Sequence, residues 1–317
     1  MNRNRMNLRM FDGTVDTKGR QYQMEFKELL EAVFGVQSYF GDFFVGGLQA
    51  MDGVSENETA FYVKTSDIPC VIVQGSLEDG GTRAYNTGAN VAFGTGTGKS
   101  SRFGDRTEVI YQDTPVPYTW DWVFHEGLDR HTINNNYDAA VADRLELQAQ
   151  EKISMFNTHH AAFIAGCAEG SGIISHPSAT KDTIADMFNK LSAYFTNAGV
   201  RKGVTLVAKV NTTVYNAIID SGLSTTAKGS TVNIDRNEVR MFKGFVIEEL
   251  PDALFAGNDC VYAYAVRIGK AFTGINTART IESEDFDGMA LQGAGTAGEY
   301  ILPANKKAVA KIVLAGA

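Results

Sequence analysis

The segment from residue 60 to residue 125 constrains this chain more than any other. It opens with strand-forming residues, Phe61 to Val63 and then Ile68 to Val73. It passes through a polar stretch holding Gly75, Gly80, Gly81, Gly88, Gly94, Gly96, Gly98 and Gly104. It returns as an alternating strand with Val116, Tyr118, Trp120, Trp122 and Phe124 on one face. The simplest shape is a long two-stranded excursion with a glycine-rich tip. An arm of about 15–20 residues at about 3.3 Å each reaches roughly 50–65 Å, beyond the body of a domain this size. A lone ribbon is marginal in water, and tryptophans exposed along it form a sticky patch. Either the ribbon folds back on its own domain or it lies across a neighbouring copy. Large aromatics commonly anchor interfaces. Tyr118, Trp120, Trp122 and Phe124, with Phe93, Lys99 and Arg102 near the tip, are therefore the candidates for contact between subunits.

A long helix follows. Asn134, Asn135 and Asn136 offer capping side chains, and Asp138 falls in the first turn, where the helix dipole favours an acid. Val141, Leu145, Ala149, Ile153, Phe156, His160, Phe163 and Cys167 then recur every third or fourth position. The pattern predicts a helix over 136–166, about 45 Å long, ending in the run from Gly166 to Gly170. It would serve as a beam.

Beyond it the pattern is compact α/β. A helix is expected from Lys181 to Asn197, with Ile184, Met187, Phe188, Leu191 and Phe195 inward and Gly199 ending it. A buried strand at Val204–Val210 and a short helix at Thr212–Asp220 come next. Residues 221–232 read as a loop. Strands are expected at 244–249, 260–267 and 308–314, with an acidic loop at 282–288. Ahead of the excursion lie a basic arm over residues 1–20 and a helix near 24–34.

The chain has 317 residues, 44% of them apolar and 21% charged, enough to bury a substantial core. Its formal charge of −8 argues against a protein that wraps nucleic acid, because such binders need a basic face. The three cysteines, Cys70, Cys167 and Cys260, are odd in number and far apart, which is not a disulfide framework. No secretory signal is recognisable, and no segment approaches the roughly 20 apolar residues of a membrane helix. A soluble protein made in a reducing cytoplasm is expected, with no membrane partner.

No motif of catalysis or cofactor binding survives inspection. "GTGTGKS" at Gly94–Ser100 fails as a phosphate loop, because Phe93 stands where its first glycine belongs and no helix is expected after Lys99. "SEDFDG" would put Ser283 and Ala294 at the first and last ligand positions of a calcium loop, so an acidic surface turn is the simpler reading. His159, His160 and Cys167 lack further ligands nearby for zinc. There is no Gly-x-Ser-x-Gly elbow. Glu248 and Glu249 read as opposite sides of one strand. Neither catalytic residues, nor a cofactor, nor a metal is expected.

The order of elements, a basic arm, a hairpin excursion, a long helix and a mixed α/β body, resembles the HK97-like major capsid proteins of tailed bacteriophages. "MNLRMFDG" at Met6–Gly13 and "DFDGMALQGAGTAGEYILPANKKAVAKI" at Asp285–Ile312 are similar to coat proteins of phages with Gram-positive hosts. The resemblance implies an α+β HK97-like fold. Its parts would be an N-terminal arm with a short helix (1–59), a β-hairpin E-loop (60–125) and a P-domain with the spine helix (126–169). An A-domain (170–288) and C-terminal strands returning to the P-domain (289–317) would complete it. It implies a shell subunit, not an enzyme, assembling as hexamers and pentamers into a virion head in the host cytoplasm. Expected partners are other copies of the chain, a separate scaffolding protein, a portal, and packaged double-stranded DNA held without sequence-specific contact. Some members link subunits through a lysine and an asparagine, and Lys99 at the tip is the lysine placed for that. Encapsulin-type nanocompartments resemble the same body, and a soluble α/β enzyme is the reading from another class.

Overall fold

The computed structural model describes residues 37–51, 58–66, 109–131, 137–200, 203–222, 231–233, 238–282 and 287–315. The basic arm, the helix expected near 24–34, Phe93, Lys99, Arg102, the asparagines at 134–136 and residues 283–286 of the expected acidic loop lie outside the described residues.

The chain opens with β1 (Phe44–Ala50), β2 (Thr59–Ser66), β3 (Tyr111–Pro117) and β4 (Trp120–Asp129), followed by the long helix α1 (Tyr137–Cys167). Next come β5 (Ile173–His176), α2 (Ile184–Asn197), β6 (Leu206–Val210) and α3 (Thr212–Asp220). Then follow β7 (Thr231–Asn233), β8 (Glu238–Phe242) and β9 (Phe245–Glu249). The remainder is strand: β10 (Asp259–Ala265), β11 (Gly269–Glu282), β12 (Gly288–Ile301) and β13 (Val309–Leu314).

The chain divides into two units, residues 53–117 and the rest. In the smaller, β2 and β3 pair antiparallel from Thr59 opposite Pro117 to Ser66 opposite Tyr111. The larger contains a seven-stranded sheet, β5-β13-β10-β6-β9-β8-β7, and a four-stranded sheet, β1-β11-β12-β4.

β10 is buried along its whole length because both of its faces are covered. Val261, Ala263 and Ala265 meet α2 and α3, whose Ile184, Met187, Phe188, Leu191 and Phe195 fall at helical spacing and are all buried. Tyr262 and Tyr264 point the other way, into a second core with Ala161, Ile164 and Ala165 of α1 and Phe40, Phe43 and Phe44. α2 begins at Ile184, later than expected, since the Thr183 hydroxyl accepts from Thr180 N at 3.0 Å and donates to Ser178 O at 2.9 Å, closing a turn. It ends at Gly199, whose φ of +72° suits glycine. Asn211 caps α3 by accepting from Val214 N at 2.9 Å. Lys209, 1% exposed, reaches Glu248 and lies 3.4 Å from Asp42, tying the chain ahead of β1 to β6.

α1 packs on the four-stranded sheet less evenly than its pattern predicts. Val141, Phe156, His160 and Cys167 are buried, but Leu145 and Ile153 are half-buried and Ala149 is exposed. Among the described residues, β1 pairs with β11 only as far as Ala50 opposite Thr273.

Two expected borders differ in the structure. The excursion ends at Pro117, not 125, and 125 falls inside β4. Pro117 has no N–H with which to continue a ladder, and β4 pairs with β12, not β2. β11, expected in the 170–288 domain, pairs with β1 and β12 in the sheet that carries α1. β13 lies between β5 and β10 in the seven-stranded sheet, and its Val309 shares a core with Ala161, Ile164 and Cys167 of the long helix.

Candidate assembly site

Met51 and Tyr118, which flank the 53–117 segment in sequence, meet within the larger unit. Met51 N donates to Thr273 O at 2.8 Å, and the Tyr118 hydroxyl donates to Met51 O at 3.0 Å. Gly274 leaves room for the Tyr118 ring, since a Cβ there would lie 2.6 Å from it. Thr119 N donates to Ala297 O at 2.9 Å. From there β4 runs along β12.

Glu299 organises the start of β4. It is 7% exposed, and its carboxylate accepts from Trp120 Nε1 at 3.2 Å and from the Thr119 hydroxyl at 3.4 Å. His160 Nδ1 lies 2.9 Å from the same carboxylate, so helix, strand and sheet share one anion. A buried carboxylate needs such partners. Trp120 stacks on His159 with centroids 4.0 Å apart and meets Phe156 edge-on at 4.7 Å. His159 and His160 are thus explained by packing and hydrogen bonding. Nothing in the sequence pointed to Glu299, a lone acid among small residues.

The aromatic row lies over glycines. Gly295 faces Trp122 and Gly293 faces Phe124 across the β4–β12 ladder. A Cβ would fall 2.4 Å from the Trp122 ring at Gly295 and 2.1 Å from the Phe124 ring at Gly293. Only glycine lets the rings lie flat against the neighbouring strand. Trp122 is 8% exposed, and Lys152 of α1 sits 3.9 Å above it. The expectation that Tyr118, Trp120, Trp122 and Phe124 form an exposed row on the excursion is therefore corrected. They belong to the body, covered by α1 and by their own sheet.

The ribbon keeps other apolar groups in the open. Tyr62 is 50% exposed, Val109 47%, Ile110 54% and Tyr111 65%. Polar pairs run beside them: Thr65 and Thr114 hydroxyls 3.4 Å apart, and Lys64 and Asp113 3.8 Å apart.

The thiols in the body are poor nucleophiles. Burial pushes both Cys167 and Cys260 up to about 12. Among the described residues no three His, Cys, Asp or Glu side chains converge as metal ligands. No described helix is long and apolar enough to cross a membrane.

Neither a protein-family model nor a curated relative matches the sequence. Solved structures do match. The mature capsid of bacteriophage PhiM1 aligns at a TM-score of 0.61 with 11% identity, covering 90% of this chain and 89% of that one. The capsid of cyanophage P-SCSP1u aligns at 0.60 with 10% identity and 90% coverage of both. A chain of Mycobacterium phage Che8 aligns at 0.52 with 13% identity, covering 87% of this chain and 96% of that one. Over most of its length, the chain has the HK97-like α+β fold of phage capsid subunits.

Proposed function

We propose that this chain is a structural subunit whose copies close into an icosahedral phage head around double-stranded DNA. The observation that carries the reading is the match, over nearly the whole chain, to capsid subunits that exist as shells. The ribbon supports it. Four large side chains about half exposed or more, Tyr62 and Tyr111 on a two-stranded element and Val109 and Ile110 just before its second strand, favour cover from a neighbour. Contacts of this kind are individually modest and act together in a closed array. The net charge of −8 suits a container that holds DNA without gripping it. A separate scaffolding protein and a portal belong to the same proposal, as does assembly in the host cytoplasm. No catalytic role is assigned.

Expression of the full chain with and without the co-expressed scaffold, followed by electron microscopy, tests this. Closed shells of uniform diameter are expected. A monodisperse monomer or dimer under every condition would overturn the reading. Heads purified from infected cells should contain DNA, and a protein cargo in its place would point to a nanocompartment.

A further inference from the structure

A fully buried lysine is rare, yet Lys209 sits 1% exposed in the middle of β6, between apolar residues that are buried as well. The sheet register sets it beside Glu248 of β9 and Tyr262 of β10. Its Nζ meets three groups. Glu248 accepts a hydrogen bond from it, the Asp42 Oδ2 lies 3.4 Å away, and the Phe40 ring centroid lies 6.0 Å away. Asp42 is held from the other side too, since the Tyr264 hydroxyl donates to its Oδ1 at 2.8 Å. Its main chain is fixed, with Arg267 N donating to Asp42 O at 2.9 Å and Ile268 N to Phe43 O at 3.0 Å. Burial first, and the Asp42 charge second, hold the Tyr264 phenol well above its ordinary range, so it stays a proton donor.

Stability alone is a weak reason for this cluster. Removing a lysine from water is costly, and apolar residues of similar volume often serve as well as a buried ion pair. The parts have another use. An amine lies against a carboxyl group, with a second carboxylate to carry protons and a phenol aimed at one carboxyl oxygen. Groups fixed at this range react as if at very high concentration.

The geometry points to a self-made covalent bond: Lys209 Nζ joins Asp42 Cγ as an amide within one chain, with Glu248 as the proton carrier. Glu248 takes a proton from the Lys209 ammonium and passes it to Oδ2 of Asp42, leaving an amine and an acid. The amine attacks Cγ, the C–N bond forms, and the carbonyl electron pair moves onto Oδ1, where the Tyr264 hydroxyl meets it. Glu248 then takes a proton from the nitrogen and delivers it to Oδ2, which leaves as water while the C=O bond re-forms. Ammonium and carboxylate become amide and water, with no redox change and no co-reactant. The Asp42 and Glu248 side chains are 31% and 44% exposed, which gives the water an exit. The bond ties the chain ahead of β1 to β6, and it is independent of whether copies assemble.

Intact mass spectrometry of the purified full chain, its folding checked by circular dichroism, tests this. A mass one water below that of the sequence is expected, and a digest should yield a branched peptide joining Asp42 to Lys209. Lys209→Arg should restore the full mass. Asp42→Asn should still link but lose ammonia in place of water, because the amide nitrogen is then the leaving group. Glu248→Gln should slow linkage about a hundredfold in freshly synthesised chain, as loss of a proton carrier does. Should a variant fail to fold, the branched peptide of the parent still decides. A folded parent of full mass, a water lost at any other pair of residues, or Glu248→Gln linking as fast as the parent would overturn the proposal.

Discussion

Val116 to Phe124 reads as one continuous strand in the sequence, yet the fold treats residues 109–117 and 120–129, on either side of Tyr118–Thr119, as opposites. The first stretch pairs, among the described residues, with β2 and leaves Tyr111 65% exposed. The second pairs with β12 and leaves Trp122 8% exposed. The side chains are of similar kind, so the difference lies in what faces them. β12 offers Gly293 and Gly295 as flat seats, and α1 closes the row from above. β3 has no such cover among the partners described for it. Trp120 and Trp122 pack within the body, and Tyr62 and Tyr111 on the ribbon are more exposed.

That contrast can be broken by mutation. The largest effect on the isolated chain should come from Trp120→Ser or Trp122→Ser, each losing roughly 3–5 kcal/mol by urea denaturation, since each removes a large packed ring. Tyr62→Ser combined with Tyr111→Ser should instead change stability by only about 0.5 kcal/mol per site while abolishing particles seen by microscopy. If the ribbon pair destabilised the lone chain more than the tryptophan variants, the division of labour would be wrong. Gly293→Val or Gly295→Ala should cost about 1–3 kcal/mol by overpacking, with a changed near-ultraviolet signal from the displaced rings. Glu299→Gln should cost about 1–3 kcal/mol, because it weakens an acceptor shared by Trp120, Thr119 and His160.

The smallest effect concerns pH. Arg144 hydrogen-bonds the Glu126 carboxylate at 2.6 and 2.8 Å and holds its pKa below the usual range. A carboxylate with a depressed folded pKa stabilises above its unfolded pKa, about 4.3, and the contribution is lost as pH falls through the folded value. Arg144 is 44% exposed, so solvent screening limits the pair to well under about 1 kcal/mol. Glu126→Gln should flatten the acid limb of a stability curve below about pH 4. An unchanged limb would show the pair to be inert.

Where periodicity is set by one element alone, the sequence was readable. α1 and α2 lie close to their predicted spans, and the inward residues of α2 are the buried ones. β6 and α3 follow for the same reason. The β11 strand escaped notice because its burial pattern depends on its neighbours. From Asn276 to Thr280 every residue is exposed, so no alternation marks it. β12 falls in the stretch expected to carry C-terminal strands, but that its glycines seat rings belonging to β4 shows only once the two strands are paired. The break at Tyr118–Thr119 was hidden likewise, since alternation runs straight through it and only pairing partners reveal it. Glu299 could be recognised only once three distant segments met around it.

The central claim is that exposed apolar side chains on the 53–117 ribbon join one copy to the next. Cryo-electron microscopy of shells assembled from the full chain tests it most directly. The account predicts density for Tyr62, Ile110 and Tyr111 packed against an adjacent subunit. Shells in which those side chains face solvent, or a lone chain that buries them against its own body, would contradict it.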